Sequence, residues 1–170
     1  PNMSQVSFIG INNWELGKKI ADETQSLLSA GGDVYILNDS TSVNSINLMT
    51  SIQSALQDNF LISTNIIENV APDFYMPGQN NIVITLNEED TIEAAQTLAD
   101  MFDMSQYKLI GCGSNEVCQL YLQKGWIKEL FSLDPEKIGE TAVREIFEYR
   151  NKGYANSYIT ADVKITSGKQ

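Results

Sequence analysis

The sequence predicts an α/β fold, a doubly wound and mainly parallel sheet flanked by helices. Apolar runs of strand length alternate with amphipathic runs of helix length from one end of the chain to the other. Short loops rich in glycine, asparagine and serine join them. The run at residues 34–37 is continuously apolar, which is typical of parallel strands covered on both faces, and residues 82–86 form a second run of this buried type.

The first half of the chain predicts two strand–helix pairs. Residues 6–11 predict a strand, after which Asn12 or Asn13 caps a helix with apolar residues at helical spacing. Residues 34–37 predict the next strand, and the polar loop 38–42 leads into a second helix. This alternation is that of βαβ units.

The second half continues the pattern with one irregularity. Further strands are predicted at residues 60–67, 82–86, 108–112, 128–133 and 158–166. Helices follow Asn87, Asn115 and Asp134, and the first of them has acidic residues in its first turn, where the helix dipole favours them. Between residues 67 and 82 two prolines and no helical period predict neighbouring strands without a crossover helix.

Composition argues against several classes of function. The net charge is −11 and the eleven basic residues are scattered, so nucleic acid is not expected as a partner. The chain has no histidine, which excludes Ser-His-Asp and Cys-His machinery and most transition-metal sites. Cys112 and Cys118 lack the second ligand pair of a zinc site, and whether they are bridged stays open. We therefore expect a protein that is not an enzyme and holds no cofactor or metal.

Five passages occur in an order that is typical of one family. Residues 9–17 (IGINNWELG) are similar to its G-x-D-N-Y-x-x-G motif, and residues 31–37 (GGDVYIL) are similar to its G-G-x-V-x-x-L strand. Residues 86–89 (LNEE) stand at its N-D or N-E dipeptide, and residues 109–114 (LIGCGS) resemble its V-G-F-D-G strand end. Residues 124–139 resemble its G-x-I-x-A-T-V-x-Q-x-P-x-x-x-G passage. The chain thus resembles the type I periplasmic binding proteins and their sugar-binding and LacI-type relatives.

The resemblance implies one lobe of a two-lobed protein plus a segment of the other lobe. Residues 1–132 would form the second-lobe-like α/β domain, residues 133–153 the crossover helix that packs on the first lobe in two-lobe relatives, and residues 154–170 a terminal strand returning to the α/β domain. The first lobe has no counterpart before Val6. The apolar stripe of the crossover helix would then lack its cover, and we expect a homodimer. That stripe consists of Ile138, Ala142, Val143, Ile146 and Phe147.

Ligands of open parallel sheets bind beyond the carboxyl ends of the strands. This rule and the resemblance select ten candidate ligand-binding residues: Asn13, Trp14, Asn38, Asp39, Phe74, Asn87, Glu88, Ser114, Asn115 and Ser132. Asn and Ser side chains hydrogen-bond hydroxyl groups, and an aromatic face stacks on a sugar ring. By resemblance, Asn87 matches a ligand-bonding Asn and Phe74 a stacking aromatic. The same asparagines are also ordinary helix caps, and Trp14 and Phe74 are also ordinary packing residues.

The resemblance implies recognition of a small polar, sugar-like ligand by part of an ABC-type solute-binding protein. Such a protein would be extracellular or periplasmic, membrane-anchored in full length, and served by a permease. Two alternatives stay open: an extracellular sensor domain of a two-component histidine kinase, and a degenerate lobe that acts as a protein-interaction or dimerisation module. Three ligand-clamping residues of the family are missing from this sequence. The Arg is absent near Asn47, Gly113 stands at the position of the Asp, and Ser132 or Leu133 stands near the position of the Gln. We therefore expect weak sugar binding, or none, by this chain alone.

Overall fold

A computed structural model describes residues 7–29, 32–38, 41–56, 60–65 and 80–168, and these ranges contain eight strands and five helices. The strands are β1 (Phe8–Gly10), β2 (Gly32–Leu37), β3 (Phe60–Asn65), β4 (Asn81–Thr85), β5 (Tyr107–Cys112), β6 (Glu129–Leu133), β7 (Tyr158–Thr160) and β8 (Val163–Ser167). The helices are α1 (Asn13–Leu27), α2 (Val43–Ala55), α3 (Glu88–Met101), α4 (Glu116–Gln123) and α5 (Pro135–Lys152). The predicted fold class, α/β with a mainly parallel sheet, is confirmed. No helix in the described part of the chain is long and apolar enough to span a bilayer.

The chain divides into two compact units. The larger unit comprises Asn13–Ser132 and Ile165–Gln170, and the smaller unit comprises Pro1–Asn12 and Leu133–Lys164. In the smaller unit β1 pairs in parallel with β7. This division differs from the one predicted from sequence, which was residues 1–132, 133–153 and 154–170. The difference arises because β1 pairs with β7, a strand near the end of the chain.

The predicted terminal strand at residues 158–166 is two strands, β7 and β8. The Ala161 N–H still bonds to β1, donating to the Gly10 carbonyl at 2.8 Å, whereas the Asp162 carbonyl accepts the Asp134 N–H at 3.1 Å. The pairing with β1 stops after Ala161, and the chain continues as β8 in the larger sheet.

The larger sheet has the strand order β3-β2-β4-β5-β6-β8. The pairs β2/β3, β2/β4, β4/β5 and β5/β6 are all parallel. From β2 the chain passes through α2 to β3 on one side, whereas from β4 it passes through α3 to β5 on the other side. The two crossovers therefore diverge between β2 and β4, which makes this the switch point where open α/β sheets bind ligands. The predicted irregular connection between β3 and β4 lies at residues 66–79, outside the described residues.

The core of the larger unit is apolar and closely packed. Ile36, Ile84 and Ile110 on the central strands are completely buried. Helices α1 and α2 approach closely at Gly17, where an added Cβ would collide with the Ser51 side chain and lie 3.1 Å from the Ile52 backbone nitrogen. This packing fixes the second half of α2 against the first half of α1, and the Ser51 hydroxyl also donates to the Trp14 carbonyl at 3.0 Å.

Helix α5 leaves part of its apolar stripe uncovered in the single chain. The stripe divides into half-buried residues, Ile138 and Ala142, and exposed residues. The exposed ones are Val143, Ile146 and Phe147. The fully buried side chain of this helix is the polar Glu145, which accepts the Asn156 backbone N–H at 3.0 Å.

Candidate ligand-binding site

Asn87 lies at the carboxyl end of β4 and caps α3. Its Oδ1 accepts the Asp90 backbone N–H at 2.9 Å, and its Nδ2 donates to the Asp90 carboxylate at 2.7 Å. Its backbone carbonyl accepts the Thr91 hydroxyl at 2.6 Å. Asp90 is buried by these contacts. Asn87 is thus a helix cap, which was the alternative interpretation of this residue. Its side chain is half-buried and also lines the adjoining crevice.

Glu88 connects the loop after β4 with the loop after β5. Its Oε2 accepts the backbone N–H groups of Ser114 at 2.7 Å and of Asn115 at 2.9 Å. The Ser114 N–H, with the Asn115 backbone and side chain, lowers the pKa of Glu88 against the opposing effect of partial burial. Asn115 in turn caps α4 by accepting the Cys118 N–H at 2.9 Å. The structure therefore brings three predicted site residues together.

The beginning of α2 faces the beginning of α3 across a crevice of about 600 Å³. Ser42 caps α2, its Oγ accepting the Ser45 N–H at 3.1 Å and donating to the Ser45 hydroxyl at 3.0 Å. The crevice is lined by Thr41, Ser42, Ser45, Asn87, Glu88, Glu89 and Asp90. These residues follow β2 and β4, so the crevice lies at the switch point of the sheet. Its volume is typical of a small-molecule site.

Hydroxyl, carboxamide and carboxylate groups line this crevice, and its described lining contains neither lysine nor arginine. Three of the lining residues are acidic, Glu88, Glu89 and Asp90, so the crevice repels anions and offers acceptors to hydroxyl or amino donors. Within the described residues no group of three or more His, Cys, Asp and Glu side chains could hold a metal ion.

Both cysteines lie near the crevice loops and are buried free thiols, which answers the question of a bridge. Burial, with the charge of a neighbouring group, raises the pKa of Cys112 to about 12 and that of Cys118 to about 11. At neutral pH both stay protonated, and neither is a nucleophile or a metal ligand in that form.

The remaining predicted residues have separate outcomes. Asn13 begins α1 and donates to Asn44 of α2 at 3.3 Å, and Asn38 directly follows β2. Trp14 is 62% exposed, so it is not a core residue. Ser132 is half-buried within β6, one residue before the strand ends. Asp39 and Phe74 lie outside the described residues.

Sequence reasoning missed five residues that line the crevice: Thr41, Ser42, Ser45, Glu89 and Asp90. The serine-rich loop before α2 and the acidic first turn of α3 were visible as helix-start signals. The strand order, which places β2 beside β4 and so makes these two helix starts neighbours, could not be predicted from the sequence.

No model of a known protein family matches the sequence, and no curated protein matches it significantly. Solved structures do match. A sugar-binding protein of a sugar ABC transporter from Bacillus halodurans superposes with a TM-score of 0.83 at 12% identity, covering 98% of this chain and 66% of its own. GanP, a glucose-galactose binding protein from Geobacillus stearothermophilus, superposes with a TM-score of 0.77 at 17% identity. The match covers 98% of this chain and 64% of GanP. A chain of a XylFII–LytSN complex mutant superposes with a TM-score of 0.79 at 14% identity. The match covers 96% of this chain and 70% of that chain.

The chain has the fold of a type I periplasmic binding protein. The predicted resemblance is confirmed at the level of fold, because identities of 12–17% support the fold alone. The chain spans 64% and 66% of the length of two of these neighbours, so it corresponds to part of the complete binding-protein fold.

Proposed function

We propose that this chain is the non-catalytic, ligand-recognising part of a solute-binding protein that takes an uncharged polyhydroxylated molecule such as a sugar. The observation that carries the proposal is the crevice between the starts of α2 and α3, at the switch point of a parallel sheet. Its hydroxyl, amide and carboxylate lining suits hydroxyl donors and disfavours phosphates and carboxylates.

The neighbours support the ligand class and the compartment. One neighbour is a carbohydrate solute-binding protein in complex with D-arabinose, and another is a periplasmic solute-binding protein with bound D-allose. By extension we propose an extracellular or periplasmic location with membrane attachment in the full-length protein, and a permease as the downstream partner. Ligand would favour one of two lobe arrangements, so the output is a population shift and not a reaction.

The proposed site is tested by amide chemical shifts in NMR titrations with D-glucose, D-galactose and D-arabinose. We expect selective shifts at residues 41–45 and 87–90, with dissociation constants in the millimolar range because one lobe encloses little of the ligand. Glu89 lines the crevice, and Glu93 lies one helical turn further along the exposed side of α3. Glu89→Ala should weaken binding several-fold, whereas the matched control Glu93→Ala should not. Shifts scattered over the surface, or none with any sugar, would reject the site.

A second candidate function is a sensor domain that passes ligand occupancy to a kinase. The observation that favours it is a neighbour, XylFII, solved in complex with a second protein, LytSN. The genes beside this one discriminate between the two candidates: a permease and an ATPase indicate transport, whereas a histidine kinase indicates sensing.

A further inference from the structure

Thr91 lies near the start of α3 and is completely buried, and its hydroxyl contacts three other parts of the chain. Its Oγ1 lies 2.8 Å from the Thr85 hydroxyl at the end of β4 and 2.6 Å from the Asn87 carbonyl before α3. It also lies 3.0 Å from the backbone nitrogen and 2.9 Å from the carbonyl oxygen of Cys112, the last residue of β5. One buried hydroxyl therefore joins two strand ends to the start of a helix.

The Thr91 hydroxyl has the donors and acceptors that these contacts need, because a hydroxyl donates one proton and accepts two. It accepts the Cys112 N–H, and the Thr85 hydroxyl can supply a second proton. Its own proton goes to the Asn87 carbonyl, the shorter of its two carbonyl contacts. Thr85 and Thr91 are both completely buried, so bulk water does not replace a partner that is lost.

The contacts with Cys112 lie just beyond the paired part of β4 and β5. The register of these two strands ends at Ile84 and Ile110. Two residues further along β5, the N–H and the carbonyl of Cys112 both bond to Thr91. Gly111 allows this close approach, because a Cβ at that position would collide with the Thr91 methyl group. The hydroxyl and the methyl of Thr91 thus each have a defined place.

We propose that Thr91 is a positioning residue of the crevice, whose hydroxyl holds the first turn of α3 where it can meet a ligand. This inference rests on the proposed function. Thr91 is buried and is not in the crevice lining, but Asn87, Glu88 and Asp90 of the same turn are. Binding residues must be held to within about 0.5 Å by the groups around them. Loss of this hydroxyl should therefore lower the affinity for ligand.

Two substitutions separate the hydroxyl of Thr91 from its methyl group. Thr91→Val keeps the shape and removes the hydroxyl, so the affinity for the sugar that wild type binds best among D-glucose, D-galactose and D-arabinose should fall about tenfold. Thr91→Ser keeps the hydroxyl and loses the methyl, so it should bind within about twofold of wild type even though it is less stable. NMR titrations at a temperature where circular dichroism shows every variant folded give the affinities.

Hydrogen exchange of two amides gives a second measurement that needs no ligand. The Cys112 N–H bonds to Thr91 Oγ1, and the Asp90 N–H bonds to the Asn87 side chain in the crevice wall. Both amides should exchange several-fold faster in Thr91→Val and at the wild-type rate in Thr91→Ser. Thr24→Val is the matched control, because Thr24 is also completely buried but its hydroxyl donates to the Ile20 carbonyl within α1 at 2.8 Å. It should change neither the affinity nor the two exchange rates.

The outcomes for Thr91 and for the proposed function are distinguishable. Wild-type affinity in Thr91→Val overturns the inference, and so does a Thr91→Ser variant that loses as much affinity as Thr91→Val. If the wild type binds none of the three sugars, the proposed function fails and exchange alone decides on Thr91. Faster exchange at both amides in Thr91→Val, restored in Thr91→Ser, then supports its positioning of the turn. Wild-type exchange at Asp90 in Thr91→Val rejects it.

Discussion

Helices α3 and α5 have similar sequences in outline and opposite surroundings. Each begins with a capping side chain and acidic residues, and each carries apolar residues at helical spacing. In α3 the side chains of Ala94, Ala95 and Leu98 are buried against β4 and β5. In α5 the buried side chain is Glu145, and Phe147 is exposed. Helical periodicity therefore defines a face, whereas a neighbouring sheet decides whether that face is covered.

The largest expected effect contrasts one apolar residue from each helix. Leu98→Ala removes a completely buried side chain and should lower the free energy of unfolding by about 2–5 kcal/mol. Phe147→Ala removes a larger but exposed side chain and should change the stability of the monomer by less than about 0.5 kcal/mol. Urea unfolding at a concentration where the chain is monomeric measures both. A loss of several kcal/mol for Phe147→Ala would mean that its ring is covered within the monomer.

The same contrast shows which parts of the fold and of the candidate site could be predicted from the sequence. The apolar runs at β2 and β4 predict central strands, because parallel sheets are buried on both faces and need such runs. Asn87 and Asn115 were recognisable as helix starts from local side-chain chemistry. The pairing of β1 with β7 and the closeness of Ser42 to Asn87 depend on contacts between distant residues, which no local pattern encodes. For that reason the predicted site residues include two of the seven that line the crevice, Asn87 and Glu88, and lack the other five.

Two buried glutamates, one in each unit, differ in their partners. Glu145 accepts hydrogen bonds from Asn156, whereas Glu129 has a buried Oε2 without a hydrogen-bond partner. Burial, and then the charge and hydrogen bond of Glu23, raise the pKa of Glu129 from 4.5 to about 7, against smaller opposing effects of Lys128 and Ser167. The folded state thus binds this proton more tightly than the unfolded state does.

Stability should therefore fall as the pH rises from about 4.5 to about 7, and the loss is complete above that range. Glu129→Gln cannot ionise, so we expect its stability relative to wild type to increase over this range by on the order of 2 kcal/mol. Urea unfolding of both proteins at several pH values gives the difference. If the two curves run parallel from pH 4.5 to 8, Glu129 is not protonated in the folded chain.

Glu88 should show the opposite dependence on pH. Its pKa is lowered by the N–H groups of Ser114 and Asn115, so its contribution is present above its ordinary pKa and is lost as the pH falls through the folded value. Glu88→Gln keeps an oxygen acceptor but removes the charge, and it should cost about 1 kcal/mol at pH 7. The cost should vanish in acid. Hydrogen exchange of the Ser114 and Asn115 amides measures directly whether their bonds to residue 88 weaken in Glu88→Gln. Equal exchange rates in the variant and the wild type at pH 7 would contradict the hydrogen bonds described here.

The smallest effect concerns one helical glycine from each unit. Gly139 on α5 faces open space, so Gly139→Ala should raise the free energy of unfolding by about 0.5–1 kcal/mol through the lower entropy of the unfolded chain. Gly17 on α1 lies against Ser51 and Ile52 of α2, so Gly17→Ala should destabilise the protein although its helix propensity improves equally. Thermal unfolding of the monomer should shift in opposite directions for the two variants. A loss of stability for Gly139→Ala would show that this position is already packed against other atoms in the single chain, contrary to the open space around it described here.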